Sequence, residues 1–84
     1  MKILYYPQFT KHYQRLSLEV QRKAEKREEI FRKNTFDSRL STHKLHGKLK
    51  DKWSFSIDWK YRILFEFDNS DVIFLDVGDH DLYR

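Results

Sequence analysis

The spacing of apolar and polar residues changes about halfway along this chain. The N-terminal half begins with a short apolar run, Lys2 to Tyr6, which predicts a strand. Pro7 ends that run and is suited to the first turn of a helix over residues 8–16. Three residues of this segment recur at helical spacing and predict its buried face: Phe9, Tyr13 and Leu16.

A second and longer helix is predicted from Leu18 to about Lys33, with Ser17 as its N-cap. Its apolar stripe is narrow and is formed by Val20, Ala24, Arg27 and Phe31, with Ile30 beside them. The remaining positions are mostly charged, which is typical of a solvated outer face with ion pairs between residues four apart. Asn34 ends the helix, and residues 35–51 are expected to be mostly irregular.

From Lys52 onward the period changes to two, which indicates strands. Trp53, Phe55 and Ile57 are predicted to face one way, and Ser54 and Ser56 the other. A tight connection at residues 58–60 leads into a second strand, in which large apolar residues continue the same face. These residues are Tyr61, Ile63, Phe65 and Phe67, and the opposite face of that strand carries Arg62, Leu64 and Glu66.

The last predicted strand, Val72 to Val77, is apolar on both faces apart from Asp76, as expected for a central strand. The complete order is β-α-α-β-β-β. It predicts an α+β fold in which an N-terminal strand and a helical hairpin pack on one face of a small antiparallel sheet. The other face carries Ser54, Ser56 and Arg62 and is expected to be an open, polar working surface.

Length and composition narrow the class of protein further. With 84 residues, the chain is expected to form one domain, residues 1–84. It has no cysteine, which excludes disulfides, thiolate catalysis and cysteine-bound zinc, and aromatic residues must supply much of the core. No apolar run is long enough to span a bilayer, and the N-terminus lacks a signal-peptide core, so a soluble cytoplasmic protein is expected.

Charge is distributed unevenly along the chain. Residues 39–62 carry seven Lys or Arg against two Asp, a balance of +5, whereas residues 63–84 carry one Arg against six acidic residues, a balance of −5. A basic middle segment suggests a polyanionic partner, because Lys and Arg contacts with phosphates release counterions. The alternative is that these residues only keep a small domain soluble.

Among the candidates for chemistry, a metal site is disfavoured. His43, His46 and His80 do not have the helical spacing of zinc ligands, and no third ligand is apparent. The serines lie on a predicted strand face and not on the strained turn that a nucleophilic serine needs. We therefore expect neither a metal nor another cofactor.

Cleavage of RNA by attack of the 2′-hydroxyl fits the remaining polar residues better. It requires a base, a cation at the scissile phosphate and an acid for the departing 5′ oxygen. Arg62 is suited to bind the phosphate, with His43 or His46 before the sheet and His80 after it as proton-transfer residues. Tyr83 offers a ring on which a base can stack.

The element order and several motifs resemble the RelE/ParE superfamily, the toxins of bacterial type II toxin–antitoxin systems. The motifs are His43-Lys-Leu-His-Gly47, Trp53-Ser-Phe-Ser-Ile57, Tyr61-Arg-Ile-Leu-Phe65 and Gly78-Asp-His80. In motif the chain is most similar to the RelE-like and YafQ-like mRNA interferases, which cut mRNA on the ribosome. The resemblance implies a helical hairpin on an antiparallel sheet, with the active site on the concave face.

By this resemblance, His43 matches the histidine that opens the His-x-Leu-x-Gly segment of YafQ-like members. Arg62 matches a strand arginine that contacts the scissile phosphate, and His80 and Tyr83 match a C-terminal histidine and aromatic residue. RelE-like members place lysines about where Ser54 and Ser56 stand and an arginine where His46 stands. The implied site is therefore of a histidine type, with catalytic residues His43, Arg62, His80 and Tyr83. Residues expected to bind the substrate are His46, Lys48, Lys52, Ser54 and Ser56.

The resemblance also implies partners and leaves an alternative open. The implied partners are a cognate antitoxin, the ribosome and mRNA, with a monomer expected when free and a hetero-oligomer with the antitoxin. The first and the final strands are expected to be exposed sheet edges that an antitoxin could extend. The alternative is a ParE-like inhibitor of DNA gyrase without nuclease activity, which the presence of both His43 and His80 disfavours.

Overall fold

A computed structural model describes residues 1–79 and Leu82; the predicted site residues His80 and Tyr83 lie outside the described residues, as do Asp81 and Arg84. The strands are β1 (Ile3–Tyr5), β2 (His43–Lys44), β3 (Trp53–Ser56), β4 (Arg62–Asp68) and β5 (Asp71–Gly78). The helices are α1 (Pro7–Gln14) and α2 (Leu18–Lys33), and short 3-10 turns occupy Ser38–Leu40 and Gly47–Leu49. In the described part of the chain, neither helix is long and apolar enough to cross a membrane.

The helices begin where the sequence predicts. Pro7 opens α1, and the hydroxyl of Ser17 accepts a hydrogen bond from the Val20 backbone N–H at 3.2 Å as the N-cap of α2. The helix α1 ends two residues earlier than predicted, because the chain tightens there. The Arg15 and Leu16 N–H groups bond the carbonyls three residues back, and Ser17 then starts the next helix.

In the part of the chain that the structure describes, the sheet has five strands in the order β1-β5-β4-β3-β2. It is mixed, not fully antiparallel as predicted, because β1 pairs with β5 in parallel. A parallel pair needs a crossover connection, and the chain between β1 and β5 supplies one. Alternation along a strand does not reveal its neighbour's direction.

The edges of the sheet also differ from the prediction. The strand β5 lies between β1 and β4, so its apolar pattern correctly indicated a central strand, and the expectation that the final strand is an edge is wrong. The edges are β1, as predicted, and β2, a two-residue strand within the segment expected to be mostly irregular. The segment could not be recognised by alternation because two residues are too few to show a period.

The core between the helices and the sheet is built from aromatic rings. Phe31 of α2 is fully buried and stacks on Phe55 with ring centroids 4.7 Å apart. Its ring meets those of Phe65 and Phe74 edge to face, at 5.0 and 5.5 Å. Since alternate strand residues point to opposite faces, this core leaves Ser54 and Leu64 on the other side of the sheet, hereafter the helix-free face. Asp76 lies on that face too, because it is the pairing partner of Leu64.

The helix-free face is less open than the sequence suggests. Ser54 is fully buried there, and Leu64 and Leu75 are each only 8% exposed. A β-bulge places one extra residue, Leu75, on β5 opposite the junction of Leu64 and Phe65. Leu64 and Leu75 line a cleft with Leu49 and Leu82. The working surface is therefore a groove with a partly apolar floor.

Candidate nucleic-acid cleavage site

Arg62, the first residue of β4, is the centre of a hydrogen-bonded group on the helix-free face. Its Nε donates to the hydroxyl of Ser54 at 3.1 Å, and its Nη2 donates to the carbonyl oxygen of Ser41 at 3.0 Å. Its Nη2 also lies 3.3 Å from Nδ1 of His43. The structure therefore brings together three of the predicted site residues, His43, Ser54 and Arg62.

Strand pairing explains this grouping. His43 of β2 is paired with Ser54 of β3, and Ser54 is paired with Leu64 on β4, two residues from Arg62. The short β2 strand thus carries the histidine to the sheet, where the long Arg62 side chain reaches it. Nη1 of Arg62 has no hydrogen-bond partner among residues 1–79 and Leu82. The guanidinium therefore retains donors for an incoming anion such as a phosphate.

Ser41 is the site residue that the sequence did not reveal. It has a left-handed backbone conformation, with φ 49° and ψ 44°, at the end of the 3-10 turn Ser38–Leu40. This conformation is costly for a residue with a side chain. Its carbonyl oxygen meets both Arg62 and His43, whose Nδ1 lies 3.0 Å from it. No sequence pattern predicts a positive φ at a serine, so this contact came only from the structure.

The two contacts of His43 Nδ1 require different forms of the ring. When Nδ1 carries a proton it donates to the Ser41 carbonyl, and in the neutral ring Nε2 is then a proton acceptor. When Nδ1 accepts from Arg62, Nε2 carries the proton instead. The His43 side chain is exposed, so Nε2 is accessible in either form. The arrangement can therefore provide either a proton acceptor or a proton donor beside a cation.

Ser56 has a structural role in the β3–β4 turn. Its hydroxyl donates to the Asp58 carbonyl oxygen at 2.7 Å. The Asp58 carboxylate accepts from the Lys60 and Tyr61 backbone N–H groups at 2.9 and 2.8 Å. Burial acts to raise the pKa of Asp58, but these backbone bonds and the nearby Lys23 ammonium outweigh it, so the pKa is lowered. These hydrogen bonds define the conformation of the β3–β4 turn that leads into Arg62.

Lys52 is bound to an acidic neighbour on the helix-free face. Its Nζ lies 2.8 Å from Glu66 Oε2, and this hydrogen bond raises the pKa of the Lys52 ammonium. Its charge is thus partly compensated. His46 and Lys48 are exposed and line a different cleft with Leu45 and Leu49. The described hydrogen bonds connect neither residue to Arg62.

The end of β5 lies beside Arg62. Gly78 is the pairing partner of Arg62 across the β4–β5 ladder, and the chain leaves the strand at Asp79. His80 and Tyr83 lie outside the described residues, so their predicted roles remain predictions.

A second histidine, His12, was missed in the sequence. Its Nδ1 lies 2.6 Å from the Asp76 carboxylate, which also accepts a hydrogen bond from Gln8 Nε2 at 2.7 Å. Gln8 and His12 are four residues apart on α1, a spacing that places them on one helix face. That spacing was a usable signal, but nothing in the sequence indicated that α1 lies next to the end of β5. Among residues 1–79 and Leu82, no three His, Asp or Glu side chains are grouped as they would be around a metal ion.

Comparisons with known proteins give the fold an independent test. No protein-family model matches the chain, and no curated protein matches its sequence. Several solved structures match over almost the whole chain. YafQ from E. coli strain BL21(DE3) is 15% identical with a TM-score of 0.81, covering 98% of this chain and 96% of that one. A YoeB/ParE toxin from Agrobacterium tumefaciens is 18% identical with a TM-score of 0.80, covering 95% and 99%.

The toxin in the E. coli DinJ–YafQ toxin–antitoxin complex is likewise similar, with 16% identity, a TM-score of 0.77 and coverage of 96% and 93%. At these identities the similarity establishes the fold. The chain therefore has the fold of the RelE/ParE superfamily toxins, which confirms the resemblance found in its sequence motifs.

Proposed function

We propose that this protein is the toxin of a type II toxin–antitoxin pair and acts as a ribosome-dependent mRNA endonuclease. The observation that carries the proposal is the contact between Arg62 and His43 on the helix-free face of a toxin fold. A guanidinium with free donors beside an imidazole supplies two of the three groups that cleavage by 2′-hydroxyl attack requires. The third would come from His80, which follows Asp79 in the sequence.

In the proposed reaction, Nη1 of Arg62 binds the scissile phosphate and stabilises its developing negative charge. One imidazole removes the proton of the 2′-hydroxyl as its oxygen bonds to phosphorus, and another protonates the departing 5′ oxygen. The products are a 2′,3′-cyclic phosphate and a 5′-hydroxyl. The reaction uses only side chains and needs no metal or cofactor, and Tyr83 would stack on a base beside the scissile bond.

Binding of mRNA and the ribosome is proposed for the basic residues around the groove. Lys48 and His46 are exposed at its approach and suited to phosphate contacts. Lys52 would contribute less, because Glu66 already binds its ammonium. Ser54 is better described as positioning Arg62, since its buried hydroxyl accepts from Nε.

The proposed partner of the free toxin is an antitoxin protein. The DinJ–YafQ complex supports this partner, because a toxin of the same fold is bound there by an antitoxin. The strand edges β1 and β2 are available for an added strand, and β2 carries His43. An antitoxin that pairs with β2 would thereby also block the site.

The test is to map mRNA 5′ ends in bacterial cells after brief induction of the protein. We expect cuts at codon-phased positions in translated messages, with untranslated RNAs spared. Arg62→Ala should abolish the cuts, whereas Arg32→Ala should retain them. Arg32 is a matched control, since it is an arginine paired with Glu28 on α2, in the helical layer.

The result that would overturn the nuclease proposal is growth inhibition without new 5′ ends. If the cells instead show a DNA-damage response, and the purified protein blocks supercoiling by DNA gyrase, the ParE-like alternative is correct. In that case Arg62→Ala should leave toxicity unchanged.

A further inference from the structure

Trp59 is the most exposed large apolar side chain in the part of the protein that the structure describes. It lies in the β3–β4 turn and is 93% exposed. Among residues 1–79 and Leu82, no aromatic ring lies against its indole and no hydrogen bond involves its Nε1. Exposure of a single apolar residue is ordinary on a protein surface. Trp59 is distinguished by the residues that surround it.

Several other exposed rings have aromatic neighbours. Phe36 is 58% exposed and Phe67 is 41% exposed, and both rings contact that of Trp53. Tyr5 packs edge-on against the buried Phe74. These rings extend the core toward the surface, whereas both faces of the Trp59 indole are free to meet a planar partner.

Aromatic and cationic residues alternate from Trp59 to Arg62, where β4 begins. The Lys60 ammonium lies over the Tyr61 ring, 5.2 Å from its centre, which is the spacing of a cation–π contact. Lys60 is exposed, so its charge can still meet a phosphate. Interleaved aromatic and basic residues are the combination with which proteins bind single-stranded nucleic acids.

The Asp58 carboxylate leaves the Lys60 ammonium available. This carboxylate is only 16% exposed and accepts from the Lys60 and Tyr61 backbone N–H groups at 2.9 and 2.8 Å. Its Oδ2 lies 3.6 Å from the ammonium of Lys23 on α2, which is also 3.6 Å from the Glu19 carboxylate. In the described part of the chain, no carboxylate lies within ion-pair distance of the Lys60 ammonium.

We propose that Trp59 binds messenger RNA by stacking its indole on an unpaired base, while Lys60 contacts a phosphate of the same strand. The inference deepens the proposed nuclease function, on which the choice of RNA rests, by adding a substrate contact apart from the hydrogen-bonded group of Arg62. Stacking on an aromatic ring tolerates any base, because every base has a π face. The contact would therefore hold the message without selecting its sequence.

The position of Trp59 favours the message as the source of this base. Trp59 lies three residues before Arg62, so their Cα atoms are at most about 11 Å apart. The indole is thus at the end of the sheet where β4 and the Arg62 group begin. A single-stranded message bound at this end presents unpaired bases, whereas bases inside an RNA duplex have no free face.

A protein partner fits the surroundings of Trp59 less well. Tryptophan hot spots of protein interfaces lie in packed surroundings that exclude water. Trp59 is flanked in the chain by the charged residues Asp58 and Lys60, and no other described ring contacts it. Such an indole is better suited to stack on a base than to fill a pocket of another protein.

The first experiment uses the fluorescence of the two tryptophans, Trp53 and Trp59. In Trp53→Phe all indole emission comes from Trp59, and in Trp59→Phe it comes from Trp53. Each protein is titrated with a single-stranded RNA that carries 2′-O-methyl groups and therefore cannot be cleaved. Because stacking quenches indole emission, this RNA should quench Trp53→Phe strongly and Trp59→Phe weakly. The same RNA annealed to its complement should quench Trp53→Phe much less.

The affinities of further variants distinguish stacking from other contacts. Trp59→Ala should weaken binding of this RNA by about 5- to 150-fold, the cost of losing one stacked base. Trp59→Phe keeps a π face and should retain most of the affinity, whereas Trp59→Leu should bind as weakly as Trp59→Ala. Phe36→Ala removes an exposed ring elsewhere and should bind like the parent. Thermal unfolding confirms that each variant is folded.

Salt dependence separates the roles of Lys60 and Trp59. Lys60→Gln should lower the slope of log affinity against log salt concentration by about 0.7, the value for one phosphate contact on a single strand. Trp59→Ala should weaken binding at every salt concentration with the parental slope. Lys33→Gln, at an exposed lysine of α2, is the control and should change neither quantity.

Two results would overturn the inference directly. The first is an unchanged affinity of Trp59→Ala, or equal quenching of Trp53→Phe by single-stranded and duplex RNA. The second is quenching by vacant ribosomes together with none by the RNA oligonucleotide, which would make ribosomal RNA the partner.

Cleavage of mRNA on ribosomes is measured separately, so that the two proposals can fail independently. If the parent cuts mRNA while the RNA does not quench Trp59, this inference is wrong and the proposed function stands. If the RNA quenches Trp59 while the parent cuts no mRNA, the stacking contact stands and the nuclease function fails. In an active protein, Trp59→Ala should raise KM for mRNA and leave kcat nearly unchanged, because the indole contacts the substrate away from the reacting atoms. A loss in kcat alone would contradict this role.

Discussion

Nη2 of Arg62 lies 3.3 Å from Nδ1 of His43, and both groups meet the carbonyl oxygen of Ser41 at 3.0 Å. One backbone oxygen thus orients a cation and a proton-transfer group from two strands that are not neighbours. Such preorganisation is what electrostatic stabilisation of a phosphate transition state requires. Substitutions at Arg62 and Ser41 should therefore affect cleavage more than their surface positions suggest.

Replacing Arg62 by lysine should retain charge and lose function. A lysine ammonium cannot bond Ser54, Ser41 and a phosphate in the same fixed geometry, because it lacks the planar fork. We expect the cleavage rate to fall about 10²- to 10³-fold, the typical cost of losing one stabilising donor. Rates are measured on ribosome-bound mRNA with Arg32→Lys as the control. An Arg62→Lys protein that cuts as fast as the parent would show that charge alone is sufficient.

The left-handed backbone at Ser41 should tolerate glycine and reject a β-branched residue. Ser41→Gly should fold with little change in stability, whereas Ser41→Val should lower the free energy of unfolding by about 1–2 kcal/mol. Ser41→Val should also slow cleavage, because the displaced carbonyl no longer orients Arg62.

Asn69, with φ 57° in the β4–β5 turn, provides the matched control. Asn69→Val should lower the free energy of unfolding, measured with urea, by a similar amount and leave the cleavage rate unchanged. Equal losses of cleavage at both positions would mean that strain, not the Ser41 carbonyl, is responsible.

The Asp58 carboxylate should make the β3–β4 turn sensitive to acid. Its pKa is lowered in the folded protein, so the stability it contributes is fully present above the unfolded pKa of about 3.9. That contribution is lost as the pH falls through the lower, folded value. Free energies of unfolding measured between pH 2 and 6 should therefore fall less steeply for Asp58→Asn than for the parent. Asp51→Asn, the same substitution at an exposed turn, is the control. Parallel curves for Asp58→Asn and the parent would contradict this account.

Phe31 should contribute more to stability than any exposed ring. It is fully buried among Phe55, Phe65 and Phe74, so Phe31→Ala should cost about 3–5 kcal/mol of unfolding free energy. Phe36 is 58% exposed and touches Trp53 and Phe67 at the rim, so Phe36→Ala should cost much less. Urea unfolding of both variants gives the comparison. If both substitutions lower the free energy of unfolding by similar amounts, Phe31 does not lie at the centre of the core.

The sequence by itself determined the local elements and the layer arrangement. Pro7 and Ser17 fixed where the helices begin, and the alternation after Lys52 assigned Ser54 and Arg62 to one sheet face. These features follow from capping and from the period of two, which depend only on neighbours along the chain. The motifs around His43 and Arg62 also indicated the superfamily fold.

Only the tertiary structure decided which chemical groups meet. The parallel pairing of β1 with β5, the two-residue strand β2 and the backbone of Ser41 depend on contacts between distant segments. The same holds for His12, which is 64 residues from Asp76 and 2.6 Å away in space. Spacing along the chain carries no signal for such pairs, because it is the packing of α1 beside β5 that brings them together.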